Sequence, residues 1–181
     1  ERSWVAVKDI PKDRSEWPTR QLSLMSVASA YRIDGNPRLA LQCLSEDDSN
    51  VNRTDPAILS LQGRALADAQ MYEQLRDWVS LAPTQCQLYP DYWIACGNLA
   101  IHDNDEAAIE CFANAIQREP HSLDAHYGMI QSLENTGRMP QAELFRSRSH
   151  VLDTLGRQVR EIRETTHPNA QDFVDIATGL M

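Results

Sequence analysis

The sequence predicts an all-α protein of stacked antiparallel helix hairpins, and three observations carry that prediction. Only seven glycines occur in 181 residues, and Ala and Leu dominate the apolar set, a composition that favours helix. Small or apolar residues recur within helical patterns at Ala28, Gly63, Gly97 and Ile130, separated by 35, 34 and 33 residues. A second series, Ala40, Leu75, Ala108 and Ala142, is separated by 35, 33 and 34. Two independent series with a common period of about 34 residues identify a repeated supersecondary unit.

Residues 1–19 share no such period. Trp4 to Val7 reads as an extended segment and Asp9 to Asp13 as a loop, and neither carries a functional expectation. The first unit places Leu24, Val27, Ala28 and Tyr31 on one helical face. Asp34-Gly35-Asn36-Pro37 then supplies turn chemistry before a second helix bearing Ala40 and Leu44. In the second unit, Thr54-Asp55-Pro56 puts a capping residue ahead of a proline at a helix start. Leu59, Gly63 and Leu66 follow on the first helix, with Leu75 and Val79 on the second.

The third unit runs from Trp93 through Gly97 and Ala100 to Ala108 and Phe112, and Pro120 closes it. Its turn is one residue short. In the fourth, His126, Met129, Ile130 and Leu133 precede the turn Asn135-Thr136-Gly137-Arg138, and Arg146 stands where an apolar residue is expected. Leu144, Val151, Leu152, Leu155, Val159 and Ile162 then share one arc of roughly 100°, which carries this helix to about Glu164, with Gly156 as its weak point.

The resulting boundaries are 21–54, 55–88, 89–121 and 122–165, with the first helix of a fifth unit at 170–181 on Phe173, Ile176, Ala177 and Leu180. Because the chain ends at Met181 inside that periodic stretch, it is expected to be a slice of a longer protein. Within each hairpin the expected facing pairs are Ala28 with Ala40, Gly63 with Leu75, Gly97 with Ala108, and Ile130 with Ala142. Wherever one member is large its partner is small, as close packing requires.

The third unit in particular, Trp93-x2-Cys96-Gly97-x2-Ala100, then Ala108-x3-Phe112 and Pro120, resembles the tetratricopeptide repeat (TPR) signature W-x2-L-G-x2-Y, A-x3-F, P. The resemblance covers residues 20–181. It implies a right-handed superhelical solenoid whose inner groove is lined by the first helix of each hairpin. Carried over unit by unit, the groove positions are Met25, Ser29 and Arg32; Ser60, Arg64 and Asp68; Ile94, Asn98 and His102; and Tyr127, Gln131 and Glu134. The resemblance also implies a noncatalytic scaffold that binds a protein or peptide segment. Members that clamp the C-terminal carboxylate of chaperones use lysines. Here the only lysines, Lys8 and Lys12, precede the repeats, which argues against that use.

Chemistry is excluded on several grounds. The chain has no P-loop, dinucleotide fingerprint, GxSxG elbow or HExxH, so no catalytic residue, cofactor or metal site is expected. Asp103-Asn104-Asp105-Glu106 opens like a calcium loop but lacks its glycine and its closing glutamate, and reads as a polar turn. A net charge of −9 and a pI near 4.9 make nucleic acid an unsuitable partner. No apolar run is long enough to cross a bilayer. Cys43, Cys86, Cys96 and Cys111 form no CxxC pair and suit a reducing compartment, cytoplasmic by default, with an extracytoplasmic location open if a leader was removed. Two rival readings remain: a regulatory or assembly region of a larger enzyme, and a module that self-associates through its open C-terminal end.

Overall fold

The computed structural model describes residues 20–45, 52–104 and 106–164, and all extended regular structure within them is helical. In chain order the helices are α1 (Arg20–Ile33), α2 (Pro37–Ser45), α3 (Pro56–Asp68), α4 (Tyr72–Leu81), α5 (Pro90–His102), α6 (Ala107–Arg118), α7 (Leu123–Asn135) and α8 (Met139–Glu164). A short 3₁₀ segment, Thr84–Leu88, joins α4 to α5. Expectations for residues 1–19 and 170–181 lie outside the described residues.

The turns explain why helices break where they do. The residue seven positions after each anchor has a left-handed backbone: Gly35 (φ 75°), Gln70 (φ 57°), Asn104 (φ 56°) and Gly137 (φ 73°). At three of these turns the next amide bonds back five residues, from Asn36 to the Tyr31 carbonyl, Met71 to Leu66 and Arg138 to Leu133. That bond closes a helix on a left-handed residue and leads the chain straight into the next helix. Glycine enters this conformation freely, whereas a residue with a Cβ is strained there by about 1–2 kcal/mol. Gln70→Gly is therefore expected to raise stability by about 0.5–1 kcal/mol in thermal melts. Asn104→Gly should give less, because asparagine tolerates this region better than glutamine. A Gln70→Gly protein that melts below the wild type would contradict this account of the turn.

Helix starts follow the sequence as well. The Asp55 carboxylate accepts the Ala57 amide at 2.8 Å, with Pro56 in the first turn of α3. Ser122 caps α7 by accepting the Ala125 amide. Helix α8 runs unbroken through Gly156 to Glu164. Arg146 stands at an apolar position of the repeat because its guanidinium reaches back to Glu134 on α7 and to Glu143 on its own helix.

Consecutive helices pack as pairs, α1 on α2, α3 on α4, α5 on α6 and α7 on α8. The odd helices also touch in a row, α1 to α3, α3 to α5 and α5 to α7, while among the described residues every substantial helix contact of an even helix is with an odd one. Both anchor series are buried: Ala28, Ala40, Leu75 and Ala142 are 0% exposed and Ala108 3%.

In two hairpins a ring from the second helix fills the space beside the first helix's glycine. A Cβ built on Gly63 would fall under 3.0 Å from the Trp78 ring. One built on Gly97 would meet the Phe112 ring at 2.6 Å. The reason is directional. A long helical side chain leans back over the turn before its own Cα, so Phe112 covers the patch next to Ala108. The same ring also fills the space beside Gly128 of α7, so Phe112 is wedged among α5, α6 and α7.

Candidate functional site: a charge ring across the odd helices

Five charged side chains from four odd helices converge on one face. Arg32 lies in the last turn of α1, Arg64 and Asp68 one turn apart on α3, and Asp91 and Asp124 in the first turns of α5 and α7. The Arg64 guanidinium donates from Nε to Asp68 at 3.0 Å and from Nη2 to Asp124 at 2.6 Å. Arg32 donates from Nη1 to the other Asp68 oxygen at 3.0 Å, and the same nitrogen lies 3.6 Å from Asp124. A planar fork with several fixed donors suits arginine to this bridging role, which a lysine ammonium could not fill.

Burial sharpens these interactions. The Arg64 side chain is 6% exposed, against 17% for Arg32, 22% for Asp68 and 51% for Asp124. Burial works against the Arg32 charge, but the hydrogen bond to Asp68 and the charges of Asp68, Asp91 and Asp124 outweigh it and push its pKa up. For Asp91 the balance is reversed. Burial raises its pKa above the usual carboxylate value, Arg64 and Arg32 pull it down, and Asp68 and Asp124 add to the rise.

That direction sets a pH dependence. Folded Asp91 holds its proton at a pH where the unfolded chain has released it, so stability falls as pH rises from about 3.8 through the raised folded value. Asp91→Asn keeps the shape and removes the titration. Its melting advantage over the wild type is expected to be near zero in acid, to grow through that window, and to level off above it. A difference that does not change with pH would sink the assignment.

The other expected groove positions divide into three groups. Ser60 and Ile94 are 1% and 2% exposed and belong to the interior, which corrects their placement on a binding surface. The Ser60 hydroxyl donates to the Pro56 carbonyl at 2.6 Å, and Ile94 sits in the apolar cluster with Met129 and Ile130. Met25 packs against the core of the first hairpin, and Ser29 and Asn98 are half-buried. Tyr127 (52% exposed) and Gln131 remain open on α7, while Glu134 is half-buried and engaged by Arg146. His102 is exposed and stacks on Tyr72 with ring centroids 3.8 Å apart, away from the ring residues in sequence and contact.

Asp91 and Asp124 escaped the sequence reading. Both lie six residues before their anchors, Gly97 and Ile130, so a comparison of register was the available signal. An acid in a first helical turn is too ordinary to attract attention by itself.

Cysteine chemistry is muted. Cys43 and Cys86 are buried, and burial pushes the Cys96 thiol up to about 11, which leaves it protonated and unreactive near neutral pH. Among the described residues no group of His, Cys, Asp and Glu is arranged to hold a metal ion, and no helix is long and apolar enough to cross a membrane. Neither a scan against protein-family models nor a search of curated proteins finds a match to this chain.

Proposed function

We propose that this chain is a noncatalytic scaffold of the TPR type, curved into a right-handed solenoid, that receives a peptide or protein segment along the face made by α1, α3, α5 and α7. The observation that carries the reading is the row of odd helices. They touch one another in order while, among the described residues, the even helices have substantial helix contacts only with odd ones. A double layer with one side closely spaced and the other spread curves toward the close side, and stacked repeats of this kind present concave binding surfaces. The 34-residue period and the left-handed residue at one offset in all four turns support the same unit of construction.

Tyr127 and Gln131 are the open positions on this face. An aromatic ring offers apolar contact area with little rotamer entropy to lose, and an amide both donates to and accepts from a peptide backbone. Panning a random peptide library displayed on phage against the chain tests the reading. Selected peptides should bind Tyr127→Ala at least about tenfold more weakly, the range of an interface hot spot, with unchanged melting. Peptides indifferent to Tyr127→Ala, Gln131→Ala and Asn98→Ala would place the surface elsewhere.

A second reading, self-association, is favoured by one observation. Leu144 and Val151 of α8 are 72% and 47% exposed, on the side of the helix turned away from Ala142 and Ser149, which are buried. Sedimentation velocity over a concentration series separates the two readings.

A further inference from the structure

We propose that the Asp91 carboxylate, with Asp124 in electrostatic reach, receives a lysine or arginine side chain of the bound segment. The inference rests on the scaffold reading above and specifies the chemistry of one residue in the ligand. Three carboxylates in the ring face only two guanidiniums. Asp68 and Asp124 are each paired, but among the described residues Asp91 makes no hydrogen bond or ion pair within 4.0 Å, and its neighbours act on it only through space. Asp91 is half-buried and Asp124 half-exposed, so a cation reaches the pair from the Asp124 side.

The ring is incomplete in a second, independent way. Arg64, the most deeply buried of the five, carries an Nη1 with no acceptor, and the Nε of Arg32 is also buried without one. Buried donors are nearly always satisfied in a finished interior, so the arrangement leaves both a carboxylate surplus and unmet donors. A basic residue of a peptide brings a cation on its side chain and an acceptor on its backbone. A carboxylate ligand would meet a surplus of its own sign.

Asp91 has a simpler explanation as a first-turn acid that complements the dipole of α5. That role needs neither burial nor two further carboxylates nearby. Burial and those neighbours raise its pKa, so the unliganded protein is less stable for keeping it ionised. Residues that lower stability and recover it on binding mark functional surfaces. The groups that face Asp91 from the packed helices are Arg32, Arg64, Asp68 and Asp124, whose charges cancel, so ionised Asp91 leaves one negative charge that an incoming cation neutralises.

The probe is a library of random dodecapeptides on phage, panned at neutral pH against the full chain. Selected peptides are expected to share a Lys or Arg at one position and to bind Asp91→Asn about tenfold more weakly, while that variant melts at or above the wild type. Replacing the shared arginine by citrulline should cost wild-type binding a similar factor and Asp91→Asn binding almost nothing. Peptides that lose affinity with Tyr127→Ala but share no basic position, or bind Asp91→Asn as well as wild type, would overturn this inference and leave the scaffold reading standing. Failure to select any peptide would overturn both.

Discussion

Replacing Phe112 by alanine is expected to destabilise the protein by about 3–5 kcal/mol, as measured by chemical denaturation followed by circular dichroism. The side chain is 0% exposed, and its ring occupies the gaps left by two missing Cβ atoms, Gly97 on α5 and Gly128 on α7. Around it pack Ile94, Ala108, Ala115, Ala125 and Met129, so one ring joins three helices from two hairpins. Removing it opens a cavity that small neighbours fixed on helix backbones cannot close. The converse change, Gly128→Ala, drives a methyl group into the ring of a side chain with no exposed side to retreat to, and overpacking should cost about 1–3 kcal/mol or more. Combining the two should cost less than their sum, because the new methyl enters space vacated by the ring. If Phe112→Ala remains within about 1 kcal/mol of the wild type, the wedge does not hold these helices together.

The ring also shows which contacts a sequence reveals. Period, turn chemistry and the Asp55 cap were legible because each depends on residues close together in the chain. The burial of Ala40, Leu75, Ala108 and Ala142 was legible for the same reason. What faced them was not. Complementary sizes at Gly97 and Ala108 are visible in the sequence, but not that the Phe112 ring fills the space beside Gly97 and Gly128. Gln70 and Asn104 conceal their left-handed turns behind side chains that usually avoid that backbone, although their register matches Gly35 and Gly137. At the candidate site, the Arg64 and Asp68 pair follows from a spacing of four on one helix. The bond from Arg64 to Asp124 spans 60 residues and passes over α5, so it depends on how the odd helices are stacked. That arrangement, and not any local pattern, brings Asp91 under the influence of two arginines and two aspartates.

Arg64→Ala is expected to lower stability by about 2 kcal/mol. A groove position that served only to contact a ligand could lose its side chain without cost to folding. The Arg64 side chain is instead 6% exposed, with Nε and Nη2 committed to carboxylates on α3 and α7. Breaking a fully buried ion pair costs about 3–5 kcal/mol, because the surviving partner is left charged and desolvated. Asp124 is 51% exposed and recovers much of its hydration, which brings the figure down; Asp68 at 22% recovers less. Lysine at this position should retain part of the stability, since it supplies the charge but cannot bridge two carboxylates with a rigid fork. Asp124→Ala should cost less than Arg64→Ala, and the double variant less than the sum, because both remove the same bond. Added salt should narrow the gap between Asp124→Ala and wild type more than that between Arg64→Ala and wild type, as screening acts most on the exposed partner. Should Arg64→Ala melt with the wild type, the ring would not tie α3 to α7, and Arg64 would again be available to a ligand.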